Sequence, residues 1–76
     1  MNWRDYIHSD PQVLLGKPVI KGTRISVDLL LELMANGWSK SMILESYPTI
    51  SDESLTAVFL YLRETVDQER FLPLSA

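Results

Sequence analysis

Seventy-six residues, 46% hydrophobic and 22% charged, make one small globular domain at most and exclude a disordered chain. The absence of cysteine removes disulfides and thiolate metal sites, and so short a chain without a staple points to self-association, as a homodimer or larger. The net charge of −3 resides wholly in residues 51–76, where Arg63 and Arg70 face Asp52, Glu53, Glu64, Asp67 and Glu69.

The first residues lack the apolar core of a signal peptide, and no apolar run is long enough to cross a bilayer, so a cytoplasmic location is the expectation. Trp3–Ile7 is rich in aromatic and β-branched residues and predicts a short strand. Ser9-Asp10-Pro11 is a turn signal. Val13–Leu15 and Val19–Lys21 flank Gly16-Lys17-Pro18 and predict short extended pieces, an arm of the kind that pairs with a partner chain. Gly22 then permits a turn.

Ser26 is placed to cap a first helix, with Ile25 and Leu30 at hydrophobic-staple spacing, Asp28 in the first turn and Gly37 as the stop. Only Asp28, Glu32 and Asn36 form a polar stripe, so this helix is expected to be buried over most of its surface. Ser39 caps a second, short helix that turns Met42, Ile43, Leu44 and Tyr47 inward and ends at Pro48. Ser51 caps a third, with Asp52 and Glu53 in its first turn. Leu55, Val58, Phe59, Leu62 and Val66 form the expected core face, and Ala57, Leu60 and Tyr61 form a second apolar strip. The helix is expected to run to Arg70, with 71–76 as an apolar tail. The reading is therefore a single, mainly α domain: an extended arm and basic loop over 1–25, a three-helix body over 26–70, and the tail.

The segment GKPVIKGTRISVDLLLELMANGWSKSMILESYPTISDESLTAVFLYL carries a resemblance. Its GKPVI-x-GTR-I-x-V block, Gly-terminated helix, Ser-capped helix ending in Tyr-Pro and third helix resemble the prokaryotic family known as "domain of unknown function 433". The match runs from about Asp10 to Leu62. The resemblance implies a trihelical, homeodomain-like helix-turn-helix domain, and an antitoxin role in a toxin–antitoxin system with a PIN-like nuclease toxin as partner.

Nothing in the residues calls for catalysis. His8 sits in a polar stretch without a second imidazole or a cysteine, the caps account for Ser26, Ser39 and Ser51, and the glycines match no phosphate-binding pattern. No enzyme activity, cofactor or metal is expected. Lys17, Lys21 and Arg24 are the candidate DNA-binding residues, with Arg24 equally suited to holding the loop through carbonyls. Asp52 and Glu53 occupy the position from which a helix-turn-helix domain reads the major groove, and they oppose phosphates, so DNA binding by the chain alone is expected to be weak. Leu60, Tyr61, Asp67, Glu69, Arg70, Phe71 and Leu72 are the candidate partner-binding residues, an acidic and apolar set suited to a basic nuclease groove. The expected function is neutralisation of a nuclease toxin, with transcriptional autoregulation as an added role. The alternatives are a DNA-binding repressor and a self-associating module with no toxin. Tyr61 and Leu60 are also readable as a cover for the arm within one chain.

Overall fold

The computed structural model describes residues 1–68. Three helices and one two-stranded antiparallel sheet build the domain: β1 (Ile7–His8), β2 (Val19–Ile20), α1 (Val27–Ala35), α2 (Lys40–Ser46) and α3 (Asp52–Gln68). Ile7 pairs with Ile20 and His8 with Val19. The arm thus pairs inside its own chain, and Lys21 N extends the ladder by donating to Tyr6 O at 2.8 Å.

The turn between β2 and α1 is held by Thr23. Its hydroxyl donates to Ile20 O at 2.8 Å and accepts from Ile25 N at 3.0 Å. Gly22 supplies the positive φ of 79° that this turn requires. The chain then doubles back: Ile20 N donates to Ile25 O, and Val27 N donates to Pro18 O, each at 3.0 Å. Strand and helix start are therefore one hydrogen-bonded unit. Ser26 is buried and its Oγ accepts from Leu29 N at 3.0 Å, the expected cap of α1.

All three serine caps form. Ser39 Oγ accepts from Met42 N at 3.2 Å while Ser39 N donates to Met42 Sδ at 3.5 Å. Ser51 Oγ accepts from Ser54 N at 3.1 Å, and the Ser51 and Ser54 hydroxyls meet at 2.9 Å. Lys40 forms an ion pair with Asp52 that ties the start of α2 to the start of α3.

The core joins both strands to all three helices. Ile7, Ile20, Val27, Leu30, Ile43, Ile50, Leu55, Ala57 and Val58 are buried in one cluster, and each large member contributes about 1.5–3 kcal/mol by leaving water.

Five expectations are corrected. Trp3–Asp5 is a 3₁₀ turn, and only Ile7 of the expected first strand is extended into β1, because Asn2 Oδ1 accepts from Arg4 N and caps the turn. Leu14–Gly16 is a left-handed turn instead of an extended piece, closed by Gly16 N to Val13 O and Lys17 N to Leu14 O. Of α1 only Val27 and Leu30 are fully buried, with Leu31, Leu33 and Met34 half-buried against the core and Ala35 exposed beside the expected polar stripe. Met42 is 44% exposed because its sulfur serves the Ser39 cap. Finally, α3 is rotated from the expected setting: Phe59 and Val66 are 55% and 48% exposed, while Ala57 is fully buried. The 3₁₀ turn and β1 pack on the side of Ala57 and Tyr61 and draw it inward.

Candidate functional site

Two regions of the surface stand out from the packed body. The first is α3 with the N-terminal turn laid across it. Trp3 meets Tyr61 edge to face, with ring centroids 4.9 Å apart and planes at 74°. The Trp3 indole N–H donates to Glu64 Oε2. Arg4 lies over the Trp3 ring at 4.3 Å and reaches Glu64 Oε1 at 3.3 Å. The indole hydrogen bond, more than the Arg4 charge, holds the Glu64 carboxyl below its ordinary pKa against the opposing effect of partial burial. Beside this clamp opens a cleft of about 440 Å³ lined by Asn2, Arg4, Leu60, Arg63 and Asp67 among others.

Tyr61, a candidate partner contact in the sequence, is thereby engaged within its own chain. Leu60 is half-buried at the cleft, and Asp67 is exposed at its edge. Glu69, Arg70, Phe71 and Leu72 lie outside the described residues. Seen down the helix axis, the outward arc of α3 carries Phe59 and Val66 together with Asp52, Glu53, Thr56, Arg63 and Asp67, all exposed. Sequence periodicity placed Phe59 and Val66 inside. The only signal against this was the presence of two apolar strips where a small core needs one.

The second region is the basic stretch. Residues 11–27 contain Lys17, Lys21 and Arg24 and no acidic residue, and all three cations are exposed. Lys17 lies 3.9 Å from Asp28, a loose contact in which both side chains remain largely in water. Among the described residues, Lys21 and Arg24 make no ion pair and Arg24 makes no side-chain hydrogen bond; Thr23 performs the loop-holding role considered for Arg24. Leu14 and Leu15 stand at φ 48° and 57°, where each non-glycine residue costs about 1–2 kcal/mol. Leu15 is 97% exposed and Leu14 42%. With Lys17 and Ser26 they line an open cleft of about 360 Å³. No sequence rule assigns a leucine pair to the left-handed region, so this feature was invisible before folding.

His8 is exposed on β1, and among the described residues no group of three or more His, Asp or Glu side chains is placed to hold a metal ion. Among the same residues, no helix is long and apolar enough to cross a membrane.

Comparison with known proteins agrees with this architecture. A crystal structure of a DUF433 member protein from Anabaena variabilis ATCC 29413 superposes with a TM-score of 0.77 at 29% identity, covering 86% of this chain and 64% of that one. "Uncharacterized protein y4eO" of Sinorhizobium fredii is 33% identical over 58 residues, which are 76% of this chain. The matched part spans about a quarter of that relative, 26% of its length. The family model described as "Protein of unknown function (DUF433)" matches residues 7–62, from β1 through most of α3, and the chain belongs to that family.

Proposed function

We propose that this chain is a non-catalytic protein-binding module of antitoxin type that captures a PIN-like nuclease on the outward face of α3. The observation that carries the reading is the pair of exposed apolar side chains, Phe59 and Val66, on an arc with Glu53, Asp67, Arg63 and the Asp52–Lys40 pair. Apolar anchors rimmed by charge are the usual anatomy of a protein contact, and the acidic sign suits a groove built to hold RNA phosphates. The resemblance to antitoxin-like proteins supplies the class of partner.

Three helices with a short connection between α2 and α3 also fit a homeodomain-like helix-turn-helix. In that arrangement α3 would be the reading helix, yet its first turn presents Asp52 and Glu53. A second reading, transcriptional autoregulation, rests on Lys21 and Arg24, which are exposed and make no ion pair among the described residues, with Lys17 nearby. It requires binding through that basic stretch.

Co-expression with a PIN-like nuclease encoded beside the gene tests the main reading. The intact chain should co-purify with the nuclease and restore growth, and Phe59→Asp should abolish both while the variant keeps its helical signal. Undiminished silencing by Phe59→Asp excludes the α3 face as the inhibitory surface. For the second reading, duplex DNA affinity should fall steeply with salt and disappear on substitution of Lys17, Lys21 and Arg24 by Ala.

A further inference from the structure

We infer that the Leu14–Leu15 turn is a self-docking element that seats on the outward face of α3 of a second copy of this chain. Leu15 is almost wholly exposed, and it is held in a backbone conformation that leucine resists. Both features are unfavourable in the isolated chain. The turn needs positive φ at positions 14, 15 and 16, but it does not need leucine at the first two, where asparagine or aspartate is tolerated better. A surface that covers these side chains accounts for their presence.

Chemistry selects the occupant. The stretch around the turn is basic without an acid from residue 11 to residue 27, and Lys21 and Arg24 make no ion pair among the described residues. The outward arc of α3 carries exposed Glu53 and Asp67 against Arg63, with Asp52 paired to Lys40, so its unpaired charge is net acidic by one among the described residues, and it offers Phe59 and Val66 as apolar counterparts. The chain thus carries both halves of one contact: two leucines beside cations, and a phenylalanine and a valine beside carboxylates. A duplex would meet the cations and leave the leucines in water, so a protein surface is favoured. The two halves are different patches, so the contact is head-to-tail and propagates as a ring or an open chain instead of stopping at a two-fold dimer. Self-docking uses the α3 face that the nuclease reading also uses, so the two occupants exclude each other there, and the test of self-docking is made without a nuclease.

Sedimentation velocity over a concentration series tests it, using the full chain and two variants at exposed positions. Leu15→Asn keeps a residue that tolerates the left-handed region, and Phe59→Ser removes the apolar counterpart; Val66→Ser replaces the latter if Phe59→Ser loses its helical signal. The native chain should associate with rising concentration, and less so at high salt. Each variant alone should weaken association about tenfold or more. An equimolar mixture of the two should recover a one-to-one complex that does not grow, since each variant retains the half that the other lacks. The inference is overturned by a native chain that stays monomeric throughout, by variants that associate as the native chain does, or by a mixture that fails to pair.

Discussion

The Trp3 indole N–H donates to Glu64, a contact spanning 61 positions of sequence, and it closes the N-terminal turn over the last turns of α3. Three interactions converge on that indole: the carboxylate at its edge, Arg4 over its face and Tyr61 against its side. Trp3→Ala removes all of them and should destabilise the domain by about 2 kcal/mol, read as a lower midpoint in urea unfolding. Trp3→Phe keeps the edge-to-face contact and loses only the donor, so its loss should be smaller. Equal losses in the two variants would place the energy in the hydrogen bond alone.

The same carboxylate makes stability depend on pH. The folded state lowers the pKa of Glu64, so its contribution is fully present above the unfolded value and fades as pH falls through the folded one. Thermal unfolding should therefore show an acid limb, steepening below about pH 4. Glu64→Gln should flatten that limb and leave the neutral and basic side unchanged in shape. An acid limb of undiminished slope in the variant would assign it to other carboxylates.

The setting of α3 gives a paired test. Val58 is fully buried and Phe59, its neighbour in sequence, is 55% exposed. Val58→Ala should cost about 2 kcal/mol in chemical unfolding, whereas Phe59→Ser should stay within about 0.5 kcal/mol. The reverse order would mean that Phe59, and not Val58, is the buried one of the two neighbours.

Ser26 supplies a third kind of evidence. Its hydroxyl is buried and caps α1 at the point where β2 and the helix start share hydrogen bonds. Ser26→Ala should cost about 1–2 kcal/mol, and Ser39→Ala, at an exposed cap, about 0.5–1 kcal/mol. Ser26→Asp tests geometry: a carboxylate satisfies the cap but enters a buried place, and a gain in stability would show the site to be wetter than its burial states.

In the left-handed turn, Leu15→Gly should raise the stability of the isolated chain by about 0.5–1 kcal/mol, since relief of strain outweighs the added freedom of the unfolded state. Equilibrium unfolding at a concentration too low for association measures this directly.

Local chemistry was legible in the residues. Ser26, Ser39 and Ser51 cap three helices, Gly22 and Gly37 end or turn segments at positive φ, and Asp10 begins a turn; each effect acts within four residues and requires no knowledge of the rest. The tertiary structure alone decided which face of α3 is inside. Leu55 and Val58 of one apolar strip and Ala57 of the other are all buried, and Trp3 arrives from the far end of the chain to pack on Tyr61. The same placement left Phe59 and Val66 on the surface and so created the candidate interface. The left-handed turn at Leu14 and Leu15 was likewise settled by closure, through hydrogen bonds from Gly16 and Lys17, against the preference of the leucines themselves. Helical periodicity names the faces that are able to be buried, but which one is buried depends on what the distant chain brings against it.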